Sequence, residues 1–214
     1  MELLPEPLPV DPMPLLAAWL DEAAAKTDRP NPNAMSLATV DASGQPDVRV
    51  VLAKELNTEL GYIVFYTNYQ SPKGVEIEAN SAGAISMHWD SLGRQVRAQG
   101  ILLKSPDEES DAYFASRDRG SQIGAWASDQ SQPVASRAAL KQRFNEAEQR
   151  FGDEPVPRPS HWGGYRLWLQ SVELWISRES RLHDRGRWER QLALVANDAA
   201  IEAAAWKNPQ RLQP

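Results

Sequence analysis

Residues 35–68 read MSLATVDASGQPDVRVVLAKELNTELGYIVFYTN, and they are the clearest guide to the architecture of the chain. Three runs within them are rich in β-branched, aromatic and other apolar residues: MSLATV (35–40), VRVVLAK (48–54) and YIVFYTN (62–68). The segments between the runs, DASGQP and NTELG, carry the Asp, Asn and Gly residues that are typical of turns. The pattern predicts three short strands joined by tight turns.

Helical and strand patterns follow one another on both sides of this block. The predicted helices are LLAAWLDEAAAK (15–26, with Asp11 as a cap and Pro12 in the first turn), SPKGVEIEAN (71–80), DEESDAYFASR (107–117) and RAALKQRFNEAEQRF (137–151). The further predicted strands are GAISMHW (83–89), RQVRAQGILLK (94–104), YRLWLQ (165–170), VELWIS (172–177) and RWERQLALVA (187–196). Strands early, helices in the middle and strands at the end predict an α+β fold, an antiparallel barrel flanked by helices.

Composition limits the class of protein. A chain of 214 residues that is 42% hydrophobic can bury one sizeable core, so a single domain over residues 11–214 is expected. Residues 1–10 are acidic and proline-rich, and they are predicted to form a flexible arm. The absence of cysteine excludes disulfides and thiolate metal sites. A net charge of −6 argues against nucleic-acid binding, and no apolar run approaches the roughly 20 residues of a membrane span, so a cytoplasmic protein is expected.

Two segments after the early strands could hold an anion. In RVVLAK (49–54), Arg49 and Lys54 bracket an apolar strand on opposite faces and could reach a phosphate or a ring oxygen. In YTNYQSPKG (66–74), a strand end, a polar turn and a helix start offer free backbone N–H groups beside Lys73, a composition that suits a phosphate. The alternatives are ordinary charges at strand ends and an ordinary capped helix.

A third candidate lies in YFASRDRGSQIGAWASDQS (113–131). Tyr113, Arg117 and Ser121 are spaced by four residues, so one face of a continuous helix would present a phenol, a guanidinium and a hydroxyl together. All three groups can donate hydrogen bonds to a phosphate, although Gly120 is expected to interrupt the helix. The alternative is a mixed polar helix surface.

The segment SRESRLHDRGRWER (177–190) gathers five arginines around His183 in an otherwise acidic chain. If it is a strand, Arg181, His183 and Arg185 share a face that could meet an anionic ligand. The flanking arginines disfavour a metal at His183, so no metal site is expected. The alternative is a charged edge strand that guards against aggregation.

None of these segments supplies a nucleophile with a base or a cluster of carboxylates. An enzyme built from them would need a cofactor for the chemistry, with the protein supplying orientation and charge. The scattered basic residues favour two phosphorylated, planar ligands.

The sequence resembles the pyridoxamine/pyridoxine 5′-phosphate oxidase family of FMN enzymes. The matching segments occur in family order between Asp11 and Arg190, and they are RVVLAK, VFYTN..S.K, GRQV, YF.SR.R.SQIGAW.S.QS, PS.WGGYR and RLHDR. The resemblance implies a split β-barrel homodimer with two FMN sites at the subunit interface.

The resemblance also implies roles for individual residues. The implied FMN contacts are Arg49, Val50, Val51, Leu52, Ala53, Lys54, Tyr66, Thr67, Lys73, Gln95, Gln130, Ser131, Trp175 and Arg185. The implied contacts to the substrate phosphate are Lys54, Tyr113, Arg117 and Ser121, while Arg181 and His183 would lie over the pyridine ring as catalytic residues.

The implied reaction is oxidation of pyridoxamine or pyridoxine 5′-phosphate by O2 to pyridoxal 5′-phosphate with release of hydrogen peroxide. Two alternatives stay open: a sister FMN oxidase with another substrate, such as a phenazine precursor, and a non-catalytic protein that binds FMN or pyridoxal phosphate. The chain departs from the family pattern at Pro72, where a basic residue is common, in its N-terminal arm, and in extra length after Arg190.

Overall fold

The computed structural model describes residues 3–195 and 200–214. Residues 1–2 of the predicted arm and Ala196, the end of the last predicted strand, lie outside the described residues. The α-helices of the described part are α1 (Met13–Lys26), α2 (Pro72–Ala79), α3 (Asp107–Ser116), α4 (Arg119–Ala127) and α5 (Arg137–Phe151). None of these helices is long and apolar enough to cross a membrane.

Antiparallel strands make up the rest of the regular structure. They are β1 (Ala34–Val40), β2 (Pro46–Leu52), β3 (Glu55–Asn57), β4 (Tyr62–Asn68), β5 (Ala82–Trp89), β6 (Arg94–Lys104), β7 (Trp162–Ile176), β8 (Asp184–Glu189), β9 (Leu192–Val195), β10 (Ala200–Ala203) and β11 (Lys207–Arg211). The main sheet runs in the order β11-β8-β7-β6-β5-β1-β2, and β3 joins through β4, which pairs with β7. Strands β9 and β10 form a separate hairpin.

Strand β7 is where the sheet divides. Its first half pairs with β4, from Asn68 opposite Trp162 to Tyr62 opposite Trp168, and its second half pairs with β8. Strand β6 accompanies both halves and changes register between Gln99 and Gly100. The change of partner along β7 and the β-bulge between β6 and β7 open the sheet into a half-barrel. This architecture confirms the predicted mainly antiparallel α+β fold.

Local chemistry explains the first hairpin. The Asp41 side chain accepts hydrogen bonds from the backbone of Ser43 at 2.8 Å and of Gln45 at 2.9 Å. Gly44 adopts a positive φ of 88°, which glycine reaches without steric cost. The register from Ala34 opposite Leu52 to Val40 opposite Pro46 then follows from this turn.

Three apolar clusters lie on the sheet. The largest buries Met13, Leu16 and Trp19 of α1 against the inward-facing residues of the strands. A second cluster joins α3, α4 and α5 to Trp162 at the start of β7. In a third, Leu192 and Ile201 of the β9–β10 hairpin pack against Tyr62, Val64 and Trp168.

The structure corrects several predicted boundaries. The segments predicted as two strands, 165–170 and 172–177, form the single strand β7, because the bulge beside it changes the pairing without ending the strand. The predicted strand 187–196 divides, since the Arg190 side chain turns inward and donates to the carbonyls of Leu169, Leu60 and Gly61. Strands β3, β10 and β11 were not predicted.

Residues 3–10, which composition predicts as a flexible arm, lie against β8 and β11. Leu4 is buried, and its backbone N–H donates to Asp184 at 2.7 Å. The indole N–H of Trp188 donates to the carbonyl of Pro9 at 2.7 Å. The prolines leave these backbone groups available for contacts with side chains of the sheet.

Candidate functional site

A cavity of about 690 Å3 lies between β2, β4, α2 and the α3–α4 junction, and we call it the Lys73 cleft. Its lining residues are Arg49, Val50, Val51, Leu52, Lys54, Tyr66, Thr67, Lys73, Tyr113, Arg117, Asp118, Ser121, Gln130 and Trp162. Three sequence segments that were singled out separately therefore meet at one cavity.

Lys73 is a buried cation at the first turn of α2. Its side chain is 8% exposed, and Nζ donates to Gln130 Oε1 at 2.9 Å and to Ser71 Oγ at 3.3 Å. Burial lowers the pKa of Lys73, and the positive charge of Arg49 lowers it further. Lys73 makes no ion pair among the described residues, so its charge is available to an anion in the cleft.

Arg117 is the second cation of the cleft that lacks a carboxylate partner among the described residues. Its guanidinium lies over the Trp162 ring at 4.6 Å, and its Nη1 is buried without a hydrogen-bond partner in the part of the chain that the structure covers. Burial lowers the pKa of Arg117 from its usual high value. A buried N–H without an acceptor costs free energy, which a bound phosphate oxygen would recover.

Arg49 differs from these two cations because its charge is compensated. Its Nη2 contacts Asp47 and Glu76, each at 2.7 Å, and its Nη1 donates to the hydroxyl of Thr39. Arg49 is therefore a third positive charge at the border of the cleft, and two carboxylates already hold its guanidinium in place. Arg49 is suited to directional hydrogen bonding more than to supplying net charge.

Aromatic rings form one wall of the cleft. The Tyr66 and Tyr113 rings stack with their centroids 3.8 Å apart, and Tyr66 is also nearly parallel to Trp162 at 5.5 Å. Gly164 makes room for this wall, because a Cβ there would lie 2.9 Å from Cε1 of Tyr66. Burial raises the pKa of Tyr66, so its hydroxyl stays a proton donor.

The expected interruption of the helix through Tyr113, Arg117 and Ser121 is present, but it lies at Arg117–Asp118 and not at Gly120. Helix α3 ends at Ser116, Arg117 is extended with a ψ of 152°, and Asp118 caps α4 by accepting the Ser121 N–H at 2.8 Å. Gly120 lies inside α4 and does not cause the break. All three side chains nevertheless line the Lys73 cleft, because the corner between the helices turns around it.

Gln95, Trp175, His183 and Arg185 form a second group, which we call the sheet-end cluster. Cross-strand pairing sets Gln95 of β6 opposite Trp175 of β7, which is opposite Arg185 of β8. The His183 ring lies 4.6 Å from the Trp175 ring. None of these residues lines the Lys73 cleft as the structure describes it.

Arg181 and His183 do not lie on a strand, so the face that a strand would give Arg181, His183 and Arg185 does not form. Strand β8 begins only at Asp184, and a 3-10 turn, Glu179–Arg181, precedes it. Ser180 and Arg181 have positive φ values of 56° and 62°. Arg181 is exposed, and its backbone has a conformation that non-glycine residues seldom adopt.

The hydrogen bond on His183 fixes which ring nitrogen can donate. The backbone N–H of Arg178 points at His183 Nδ1 at 3.2 Å, and a backbone N–H can only donate. Nδ1 is therefore the acceptor, and the neutral imidazole carries its proton on Nε2. His183 presents a hydrogen-bond donor to a ligand.

Some predicted site residues lie elsewhere. Ala53 belongs to the apolar core, its carbonyl accepting from Asn33 at 2.6 Å, and Ser131 is exposed with a positive φ of 69°. Neither lines the Lys73 cleft. Arg190, 7% exposed, holds backbone carbonyls together, so the five arginines of 177–190 do not form one anion site.

Sequence reasoning missed Trp162, Glu76 and Glu173. Trp162 stood in the segment interpreted as a link, although its position before two glycines was a signal of a ring with a close neighbour. Glu173 shares a strand face with Trp175 by simple alternation, which could have drawn attention to it. Glu76 carried no signal, since an acidic residue on a short helix is ordinary.

Comparisons with known proteins identify the family of this chain. The family model described as pyridoxamine 5′-phosphate oxidase matches residues 21–151, and the model for the pyridoxine 5′-phosphate oxidase C-terminal dimerisation region matches residues 162–214. A pyridoxine/pyridoxamine 5′-phosphate oxidase of Cupriavidus necator is 52% identical over 175 residues, 82% of this chain and 81% of that protein. The relative of the same name in Ralstonia pickettii is 54% identical over 178 residues, 82% of each chain.

Solved structures share the fold. PhzG from Burkholderia lata, in complex with tetrahydrophenazine-1-carboxylic acid, superposes with a TM-score of 0.83 at 29% identity over 96% of this chain and 94% of its own. A pyridoxamine 5′-phosphate oxidase-related, FMN-binding protein of Nostoc punctiforme superposes with a TM-score of 0.70 at 15% identity, covering 100% of both chains. Family models over most of its length and relatives above half identity show that the chain belongs to the pyridoxamine 5′-phosphate oxidase family.

Proposed function

We propose that this protein is an FMN-dependent oxidase that converts pyridoxamine 5′-phosphate or pyridoxine 5′-phosphate to pyridoxal 5′-phosphate. With the amine, O2 and water are consumed and ammonia and hydrogen peroxide are released; with the alcohol, O2 is consumed and hydrogen peroxide is released. The observation that carries the proposal is that two cations of one cleft, the buried Lys73 and the half-buried Arg117 with its buried Nη1, lack carboxylate partners among the described residues.

The residues around Lys73 fit the phosphate end of FMN. Lys73 supplies uncompensated charge, Arg49 supplies a fixed guanidinium, and Thr67 and Gln130 supply polar groups that are already linked by a 3.0 Å hydrogen bond. The chemistry that FMN supplies when bound is two-electron oxidation of the substrate with transfer of the electrons to O2. The chain itself contributes orientation and charge.

The residues around Arg117 fit the phosphate of the substrate. The unpartnered Nη1 of Arg117, the Tyr113 phenol, the Ser121 hydroxyl and the Lys54 ammonium can all donate to phosphate oxygens. Lys54 lies 5.9 Å from the Tyr113 ring, and it is exposed at the mouth of the cleft. Holding the phosphate here would fix the substrate for reaction at its other end.

The sheet-end cluster would complete the site from a second chain. Trp162 at the start of β7 lines the cleft, whereas Trp175 in the cluster stands 13 residues further along the same strand. At about 3.3 Å per residue these ends are roughly 40 Å apart, so one chain does not bring them together. The match of residues 162–214 to a dimerisation region supports a homodimer in which each active site uses the cleft of one protomer and the cluster of its partner.

In that arrangement Arg181 and His183 act on the ring of the substrate. The Nε2–H of His183 would donate to a ring oxygen, and the exposed Arg181 guanidinium would stabilise charge that develops on the ring in the transition state. No described side chain of either group forms a nucleophile–base pair. Orientation over the cofactor would therefore supply much of the rate enhancement.

A second candidate is an oxidase of phenazine precursors, which the likeness to PhzG favours. Its substrate class is a carboxylic acid without a phosphate, as in the ligand bound to that neighbour. The buried Arg117 with its unpartnered Nη1 favours a phosphorylated substrate. A non-catalytic carrier would not need the His183 donor or Arg181.

The test is anaerobic addition of pyridoxamine 5′-phosphate to the FMN-loaded protein, followed by admission of air. We expect the yellow colour to bleach and then return as hydrogen peroxide and pyridoxal 5′-phosphate are released. A loaded protein that stays yellow with this substrate, and with pyridoxine 5′-phosphate, would reject the proposal. Bleaching by tetrahydrophenazine-1-carboxylic acid alone would select the second candidate.

A further inference from the structure

Arg185 of the sheet-end cluster is held by a carboxylate that lies on the neighbouring strand. The Nε and Nη2 groups of Arg185 donate to Glu173 Oε1 at 3.1 and 2.9 Å. Glu173 is only 8% exposed, and its other oxygen lies 3.5 Å from Nη1 of the largely exposed Arg97. The Glu173 charge is therefore directed mainly at Arg185.

Residues 211–213 hold the same arginine from the other side. Arg185 Nη1 donates to the carbonyl of Gln213 at 2.7 Å, and the Arg185 carbonyl accepts the Leu212 N–H at 3.0 Å. Arg211 also pairs with Asp184, the residue before Arg185. Segments from the middle and the end of the described chain thus converge on one side chain.

These contacts leave a defined part of Arg185 for a ligand. Of its five N–H groups, two donate to Glu173 and one to Gln213, so one N–H on each terminal nitrogen stays available among the described contacts. The negative charge of Glu173 compensates the positive charge of Arg185. Arg185 would therefore offer a ligand hydrogen bonds in fixed directions more than net charge.

We propose that Glu173, with the support of residues 211–213, is a positioning residue that fixes Arg185 for its contact with FMN bound to the partner protomer. This inference rests on the proposed function, to which it adds the FMN contact that the family resemblance implies for Arg185. Without Glu173 the long Arg185 side chain would sample many rotamers, and part of the binding free energy would be spent on ordering it.

A double-mutant cycle tests the coupling of the two residues. FMN is titrated into apoprotein by flavin fluorescence for the wild type, Glu173→Gln, Arg185→Ala and the double variant, with thermal unfolding and the dimer mass measured for each. We expect Glu173→Gln to raise the FMN Kd by about tenfold, the loss that follows when a charge-assisted hydrogen bond is removed. The double variant should bind no more weakly than Arg185→Ala alone, because the two losses share one interaction.

The matched control is Glu189→Gln on β8, since Glu189 is exposed and pairs with Arg187 outside the cluster. That variant should bind FMN as the wild type does. The positioning role would be overturned if the losses of FMN binding free energy in the two single variants added up in the double variant. An unchanged FMN Kd in Glu173→Gln would overturn it as well. An Arg185→Ala variant with unchanged FMN binding would instead show that the assignment of Arg185 in the proposed function is wrong, and this inference would fall with it.

A second variant covers the case in which Glu173→Gln does not fold. Deletion of residues 213–214 removes the Gln213 carbonyl and keeps Arg211 and Leu212. We expect a smaller rise in the FMN Kd, of a few fold, at an unchanged dimer mass. An unchanged Kd in this variant would overturn the role of the segment.

Discussion

Lys73 and Arg117 are the residues on which the proposed chemistry depends most. Burial lowers the pKa of both side chains, and neither has a carboxylate partner among the described residues. Keeping such groups charged in the folded protein costs desolvation free energy, which no directly paired carboxylate among the described residues offsets. Two phosphate groups, one on the cofactor and one on the substrate, would supply the missing charges.

Arg117→Ala should weaken substrate binding and leave FMN in place. Removal of a buried guanidinium that contacts a phosphate should raise KM for pyridoxamine 5′-phosphate by at least about tenfold. Steady-state kinetics and an FMN titration of the same preparation measure the two effects. The control is Arg119→Ala, because Arg119 donates to the carbonyls of Gly152 and Glu154 and does not line the cleft. Loss of flavin in Arg117→Ala would contradict the assignment.

FMN affinity should fall as the pH rises, through deprotonation of Lys73. The pKa of Lys73 is lowered, so the folded apoprotein holds this proton more weakly than the unfolded chain does. Burial of the charged form therefore reduces the free energy of unfolding at low pH, and this cost disappears above the pKa of the unfolded chain. Bound phosphate favours the charged form, so affinity decreases as Lys73 titrates. FMN titrations from neutral pH to about pH 10 should show this decrease at lower pH than for a free lysine.

Lys73→Arg is the control for this pH effect, because a guanidinium keeps its charge throughout that range. The variant should show a flatter pH profile than the wild type. Identical profiles for the two proteins would mean that another group controls the pH dependence.

Strand β7 supplies Trp162 to the wall of the cleft, and Gly164 of the same strand leaves room for the Tyr66 ring. A Cβ at Gly164 would lie 2.6 Å from Ser105 Oγ and 2.9 Å from Tyr66 Cε1. Gly164→Ala should therefore displace the Tyr66 ring, reduce the free energy of unfolding by about 1–3 kcal/mol and weaken FMN binding. Denaturant unfolding and FMN titration measure the two effects.

Gly124 provides the contrast on helix α4. A Cβ there would have no heavy atom within 4 Å, so Gly124→Ala should stabilise the protein by about 0.5–1 kcal/mol through helix propensity. If Gly164→Ala and Gly124→Ala changed the free energy of unfolding equally, the close approach of the Tyr66 ring to β7 would not be the reason for a glycine at position 164.

The early strands were predictable because their pattern is local. Alternation and turn chemistry over residues 35–68 indicate β1, β2 and β4, and α1 and α2 carry their own start signals. The division of 187–196 was not predictable, since it depends on Arg190 reaching carbonyls more than a hundred residues away. The same holds for β3, whose three residues pair only because β4 folds back on them.

The site was predictable in its residue types and less so in its geometry. The family resemblance drawn from SQIGAW and RLHDR is confirmed by the family models. The helix after Tyr113 was expected to break at Gly120, but it breaks earlier, because Asp118 starts a new helix. A strand at Arg181 was wrong, because Arg181 has a positive φ. Helical and strand periodicity do not report such local breaks.

At the scale of the whole molecule, the proposed function gives one chain two incomplete halves of an active site. The Lys73 cleft holds the phosphate donors, and the sheet-end cluster with Arg181 holds the groups proposed to act on the ring. The length of β7 keeps the halves apart within a protomer. A symmetric dimer would join each half to its complement and make two equal sites.

The shared-site dimer is tested most directly by complementation between two impaired variants, assayed at a substrate concentration below KM. Arg117→Ala chains and Arg181→Ala chains, with different tags, are unfolded together, refolded, loaded with FMN, and the mixed dimers are purified through both tags. If each site takes Arg117 from one protomer and Arg181 from the other, one site of a mixed dimer carries both substitutions and the other carries none. We expect about half of the wild-type peroxide release per mixed dimer, measured at a pyridoxamine 5′-phosphate concentration well below the wild-type KM, where the Arg117→Ala parent is slow. Mixed dimers no more active than the parent variants would contradict the shared-site dimer, because both residues would then serve the same protomer.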